Sequence, residues 1–266
     1  MTSINTSNNF VDNTAGLNKT FNQISSGKRI NSAADDAAGL SIATRFSSQV
    51  SGAQQAQRNG LDAKSLIETE DGALEQISNG IQRLQELAIQ QGNGILNESD
   101  RAALNKEAAQ ISEQINQVIE QSSFNDKQLF QDSQGSTSTN FQLGDKAGEV
   151  ISLAANTTAD PIQQGLSELD FSSSNPDNNL ATLESIQQQV TDRRSELGAV
   201  SNRIDSSIDQ LANEEEQSQS ARSRVEDADI AELVSQMVIE RVKQQAQLAV
   251  QSQANASAED TLRLLS

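Results

Sequence analysis

The sequence predicts a mainly α protein, a long antiparallel helical bundle or coiled coil formed by paired N- and C-terminal helices, with a small β-hairpin and loops in the middle. Three observations carry this. Residues 10–121 and 180–255 are rich in Gln, Asn and Ser and place their apolar residues at helical spacing. Between them lies a Gly/Ser/Thr/Asn tract whose apolar runs are strand-like. Of the 266 residues only 35% are hydrophobic and 3% aromatic, with no Trp, no Tyr and seven Phe. The apolar supply is therefore Leu, Ile, Val and Ala, which suits thin helix-to-helix seams better than a layered interior.

Phe10, Leu17, Phe21 and Ile24 fall on one face of a first helix that stops at Ser25-Ser26-Gly27. After residues 31–39 the stripe resumes with Ile42, Phe46, Val50 and Ala53 and continues through Ile67, Leu74, Ile77, Ile81, Leu84 and Ala88. One helix from Leu40 to Gln91 would be roughly 75 Å long. Gly52, Gly60, Gly72 and Gly80 lie inside it, each costing about 1 kcal/mol relative to Ala. Two readings stand: small residues that let a neighbouring helix approach, or weak points tolerated because the packed face holds the helix.

Gly92-Asn93-Gly94 closes that helix, and Asn97-Glu98-Ser99-Asp100 offers a cap and early acids for the next. Its stripe is Leu104, Ala108, Ile111, Ile115 and Val118, and the short loop implies an antiparallel helical hairpin. Between Phe130 and Asn179 the period changes, and Phe141-Gln142-Leu143 with Val150-Ile151-Ser152-Leu153 predict a small β-hairpin. Helical spacing returns with Leu183, Ile186, Val190, Leu197, Val200, Ile204, Ile208 and Leu211, then Val225, Leu233, Met237, Val238, Val242, Ala246 and Ala249. Both prolines, Pro161 and Pro176, fall in the middle tract. The run Glu214-Glu215-Glu216 reads as a solvated face.

Chemistry is excluded more readily than it is found. Histidine and cysteine are absent, which removes the usual general base, zinc ligands, thiol nucleophile and disulfides. No catalytic, cofactor-binding or metal site is predicted, and the chain is not read as an enzyme. A net charge of −18 argues against nucleic acid, which needs a clustered basic surface. No window approaches a membrane span. The start, MTSINTSNNF, has neither the basic residues nor the apolar run of about 7 to 15 that a secretory signal requires. The chain is thus expected either to stay in the cytoplasm or to leave by another route.

The segment Ser25-Ser26-Gly27-Lys28-Arg29-Ile30-Asn31-Ser32-Ala33, with Asp35-Asp36-Ala37-Ala38-Gly39-Leu40, resembles the N-terminal hallmark of bacterial flagellin. Leu197-Gly198-Ala199-Val200-Ser201-Asn202-Arg203, the run from Ser220 to Asp229, and Gln253-Ala254-Asn255 with Leu262, Leu264 and Leu265 resemble its C-terminal hallmarks. The resemblance covers residues 1–130 and 180–266. It implies an inner coiled-coil domain of residues 1–32 with 226–266. An outer helical-bundle domain of residues 33–225 would include the hairpin and loops of 130–179, without large surface inserts. Inner-core assembly residues would then be Phe10, Leu17, Phe21, Ile24, Leu233, Met237, Val242, Leu262 and Leu265.

The same resemblance implies a subunit that polymerises into the flagellar filament for motility, with ends that are disordered in the monomer and fold on assembly. It implies type III export, a secreted, extracellular location, an export chaperone, a filament cap protein and a hook-junction protein. The stretch from Ile81 to Gln90 is similar to the family segment bound by the vertebrate Toll-like receptor for flagellin, and matches Arg83 and Leu87, with Glu107 from the neighbouring helix. Gln85 stands where the family pattern has arginine. Subunit contacts in the filament are the favoured account of why these residues are there, with receptor binding incidental to it. Ser136, Thr137, Ser138, Thr139, Thr157 and Thr158 are candidate acceptors of O-linked sugars, although hydroxyl-rich loops are common. Between Leu17 and Ser25 the chain is about seven residues shorter than the family pattern, a loss that keeps the apolar face in register. A hook-filament junction protein and a cytoplasmic coiled-coil scaffold or signalling protein are the alternatives. An enzyme of the kind inserted in some larger relatives is excluded, because a His-Glu-x-x-His motif cannot exist here.

Overall fold

The computed structural model describes residues 2–130, 138–172 and 176–265, and side chains for 14–130, 138–172 and 176–257. Among the described residues the elements run α1 (Thr2–Ser26), α2 (Ala37–Gln91), α3 (Glu98–Gln121), β1 (Ser123–Phe124), β2 (Lys127–Gln128), β3 (Thr139–Gln142), β4 (Val150–Leu153), α4 (Ala159–Glu168), α5 (Asp177–Glu226) and α6 (Ile230–Leu265). The chain divides into two compact units, Met1–Ser51 with Glu215–Ser266, and Gly52–Glu214.

In the unit Gly52–Glu214, the stripe read on α2 becomes the spine of an apolar core. Leu74, Ile77, Ile81 and Leu84 are fully buried with Ile115 of α3 and Leu183, Ile186 and Ile204 of α5. The helices approach closely where α2 lacks side chains. A Cβ on Gly60 would lie 2.9 Å from Ile208 Cγ1, and one on Gly80 would lie 2.8 Å from Ile115 Cγ1. Gly52 faces Asp145 in the same way, but a Cβ on Gly72 would meet nothing. Three of the four glycines thus make room for a neighbour, and the fourth is a tolerated weak point. Asn97 and Asp100 form a reciprocal capping box that starts α3. Arg101 Nη1 donates to the Gln91 carbonyl at 2.9 Å at the end of α2.

β3 and β4 pair antiparallel, with Phe141 opposite Ile151, and Leu143, Ile151 and Leu153 turn into the same core. The middle tract holds more than the hairpin and loops expected of it. β1 and β2 form a second, two-residue hairpin around Asn125 and Asp126, whose φ values of 50° and 62° are both left-handed. α4 buries Ile162 and Leu166, and accepts Pro161 because a proline in the first helical turn gives up no intrahelical bond.

Polar groups also enter this core. Glu70, 2% exposed, and Arg193, 5% exposed, are ion-paired. Glu70 Oε1 accepts from Arg193 Nε at 2.7 Å and from Asn156 Nδ2 at 2.9 Å. Burial pushes the Glu70 carboxyl above its usual range, against the opposing pull of Arg193 and Asn156. The pair joins α2 and α5 to the strand-to-helix segment after β4. A second polar knot ties Asn179 Nδ2 to Gln91 Oε1 at 3.0 Å and to the Asp170 carbonyl at 2.8 Å.

Candidate functional site

In the unit Met1–Ser51 with Glu215–Ser266, α1 packs along α6. The seam they share mixes polar and apolar side chains. Thr20 and Gln23 of α1 are buried; Leu17 and Ile24 are half-buried. On α6, Leu233 is buried and Met237, Glu240, Gln244 and Gln247 are half-buried, at alternating spacings of four and three. Gly16 lets the Glu240 carboxylate in, since a Cβ there would lie 3.3 Å from Glu240 Oε1.

Most of the large apolar residues of α6 lie outside this seam. Ile230, Val234, Val238 and Val242 follow one another every fourth residue and are 40–57% exposed, and Ile239, Leu248 and Val250 are at least half exposed beside them. Phe21 of α1 is 58% exposed. Of the predicted assembly residues, the structure therefore buries Leu233, half-buries Leu17, Ile24 and Met237, and leaves Phe21 and Val242 in solvent. The side chains of Phe10, Leu262 and Leu265 lie outside the described residues.

Beyond this pair both chain segments break, and the breaks are laced together. Gly27 takes φ +70° after α1, a conformation that favours glycine. Arg29 N donates to the Glu226 carbonyl at 2.7 Å, Ala228 N donates to the Gly27 carbonyl at 3.1 Å, and Lys28 bridges Asp227. Lys28 Nζ pairs with the Glu226 carboxylate at 2.6 Å, and Arg29 Nη2 donates to the Val225 carbonyl at 2.7 Å. Asp229 then starts α6, its Oδ1 accepting from Ala231 N at 2.9 Å and Glu232 N at 3.2 Å.

Asp35 closes the joint on the α1 side. Its carboxylate pairs with Lys19 at 2.9 Å and accepts from the backbone of Asn31 and Ser32. The Lys19 ammonium first, then these N–H groups, lower its pKa to about 2. Ile30 is 1% exposed, and a Cβ on Gly39 would lie 2.6 Å from its Cδ1. Gly27, Lys28, Arg29, Ile30, Asp35 and Gly39 of the N-terminal motif thus all work in one joint. Spacing could not reveal this, because the C-terminal partners lie about two hundred residues away.

Leu87 is a correction. It is 1% exposed, because it sits one turn beyond Leu84 on the inward stripe of α2, and it offers no surface to a receptor. Arg83 and Glu107 are exposed enough to be reached; Arg83 Nη2 meets Glu107 Oε1 at 2.6 Å and its Nη1 meets Glu86 at 2.7 Å. Among the hydroxyl candidates, Ser138, Thr139 and Thr157 are exposed. Thr158 Oγ1 donates to Asn156 Oδ1 at 2.6 Å. Ser136 and Thr137 lie outside the described residues. Among the described residues no cluster of acidic side chains could hold a metal ion, and no helix is long and apolar enough to cross a membrane.

The comparisons agree with this geometry. Residues 1–135 match the bacterial flagellin N-terminal helical region and residues 180–265 the bacterial flagellin C-terminal helical region. The flagellin of Halalkalibacterium halodurans is 36% identical over 251 residues, covering 93% of this chain and 91% of that protein. The flagellin of Bacillus subtilis is 31% identical over 296 residues, covering 98% and 97%. The crystal structure of Bacillus cereus flagellin superposes with a TM-score of 0.53 at 28% identity, over 58% of this chain and 88% of that one. Two matched family regions and full-length relatives at 36% and 31% identity have one reading: the chain belongs to the bacterial flagellin family, as a structural subunit of the flagellar filament and not an enzyme.

Proposed function

We propose that the exposed apolar rows of α6, with Phe21 of α1, are the surface buried between subunits when the filament grows. The observation that carries this is exposure: seven large apolar side chains of α6 and Phe21 of α1 face solvent, while Thr20, Gln23 and Glu240 share the seam with Leu17, Ile24, Leu233 and Met237. Completing the burial of eight large apolar side chains stabilises each added subunit by on the order of 5–10 kcal/mol before the cost of association. Helices whose seam is partly polar and whose large apolar residues face solvent are marginal alone, so the ends gain most of their order on assembly. The inner domain of residues 1–32 with 226–266 ends at the laced joint. The outer domain, 33–225, carries the hairpins toward the filament surface.

An apolar face of this kind also calls for cover before assembly. A chaperone masking α6, export through the flagellar type III route, a cap protein at the growing tip and a hook-junction protein at the base complete the reading, and place the mature filament outside the cell. Arg83 and Glu107 remain accessible for the Toll-like receptor for flagellin, and signalling by an Arg83→Ala monomer tests that contact. Exposed Ser138, Thr139 and Thr157 are available for O-linked sugars, which the intact mass of native filament would reveal.

The central experiment follows seeded growth by light scattering and electron microscopy. Three samples are compared: the full chain, a form lacking residues 1–30 and 230–266, and Val238→Asp. The full chain should extend seeds into thin filaments, and the other two should not. Val238→Asp should keep the helical content of the full chain. Growth of the truncated form, or of Val238→Asp at the parental rate, would overturn the reading. A stable full-length monomer that never extends seeds would point to a junction or scaffold protein.

A further inference from the structure

The dipeptide Asn-Gly occurs three times, at Asn59-Gly60, Asn79-Gly80 and Asn93-Gly94. Chemically the three are equivalent: glycine places no Cβ in the way of its own nitrogen reaching the asparagine side chain. The fold separates them. The first two lie inside α2, where helical dihedrals are fixed and the glycine N–H belongs to the hydrogen-bond ladder. Asn59 is further held by Gln55, whose Nε2 donates to its Oδ1 at 3.0 Å, while its own Nδ2 donates to the Gln142 carbonyl at 3.0 Å. Asn79 is exposed, so accessibility is not what distinguishes the pairs.

Asn93-Gly94 sits beyond the last residue of α2, in the exposed connection to α3. Among the described residues no acceptor takes the Gly94 N–H, and space around Gly94 is open. The Asn93 side chain is already aimed along the chain, with its Oδ1 accepting from Ile95 N at 3.3 Å. That donor polarises the amide carbonyl and faces the oxygen on which negative charge develops during attack. Ile95 itself is 85% exposed, so water reaches the turn.

We propose that Asn93-Gly94 is a site of spontaneous deamidation, and that α2 protects the other two pairs. The Gly94 nitrogen attacks Asn93 Cγ and an N–Cγ bond forms. The Cγ–Nδ2 bond breaks, and ammonia departs carrying the proton lost from the Gly94 N–H. One solvent water then opens the cyclic imide at either carbonyl, leaving aspartate or isoaspartate at position 93. No electrons are exchanged. Either product sets a carboxylate just past the C-terminal end of α2, where the helix dipole disfavours it, and isoaspartate adds a methylene to the backbone of the connection.

The test is incubation of the full-length protein in mildly alkaline buffer at growth temperature, with timed tryptic mapping by mass spectrometry. Cleavage after Arg83 and Arg101 releases Leu84–Arg101, in which fragmentation separates Asn93 from Asn97. Position 93 should convert, with isoaspartate among the products, while Asn59 and Asn79 keep their amides. Gly94→Ala should slow conversion roughly tenfold and fold normally, since a Cβ there meets nothing. Urea-unfolded protein should convert at all three pairs. Conversion at Asn59 or Asn79 matching that at Asn93 in the folded chain, loss at Asn93 no faster than at Asn97, or an unchanged rate in Gly94→Ala would overturn the proposal.

Discussion

Replacing Arg193 by Met should destabilise the unit Gly52–Glu214 severely at neutral pH and much less in acid. Arg193 is 5% exposed and Glu70 2%, and Met fills most of the space of the arginine stem while removing its charge. Among the described residues, Glu70 would then keep the neutral donor Asn156 Nδ2 at 2.9 Å. A buried charge stripped of its partner costs about 3–5 kcal/mol, which in a unit of this size lowers the melting temperature by about 10 °C. The pH dependence has a definite sign. Burial already raises Glu70 above 4.5, and loss of Arg193 raises it further. A carboxyl raised in the folded state favours folding when protonated, so its penalty is absent below the unfolded value and appears as pH rises through the folded one. The gap between variant and parent should therefore close on acidification. Thermal melts followed by far-ultraviolet circular dichroism, parent and variant compared at each pH, measure it. The double variant Glu70→Met with Arg193→Met should recover to within about 1–2 kcal/mol of the parent. A single variant as stable as the parent at neutral pH, or one whose deficit grows in acid, would refute the reasoning.

Two further outcomes follow from the geometry of α2 and of the joint. Gly80→Val should cost roughly 1–3 kcal/mol through the clash with Ile115, whereas Gly72→Ala, with open space before it, should gain up to about 1 kcal/mol; urea midpoints distinguish them. Asp35, lowered to about 2 by Lys19 and the Asn31 and Ser32 amides, should hold the joint fully above 3.8 and release it as pH falls from 3.8 through about 2. The protection of the Ser32 amide, its hydrogen exchange measured against the intrinsic rate at each pH, should fall across that window in the parent and be low throughout in Asp35→Asn.

Much of the fold was legible because periodicity is a local signal. The end of α1 at Gly27, the stop of α2 at Gln91 and the hairpin of β3 with β4 all follow from neighbours in sequence. α4 was harder to see, being short and carrying Pro161, and only the spacing of Ile162 and Leu166 marks it. The Asn125-Asp126 turn hid because neither residue is glycine. The Glu70–Arg193 pair was illegible in principle, since each charge taken alone belongs on a wet face and the partner is 123 positions away. The inward position of Leu87 was legible, since the stripe through Leu84 carries it into the core.

The exposed apolar rows of α6 have a thermodynamic corollary. When the favourable burial belongs to contacts between molecules, the free energy that orders a segment scales with the logarithm of how many neighbours are available. On the proposed assembly, the order of α1 and α6 would depend on subunit concentration as well as on temperature. Dilution and heating would then act on these ends in the same direction, whereas the core around Leu74 and Ile81, closed within one chain, is insensitive to dilution.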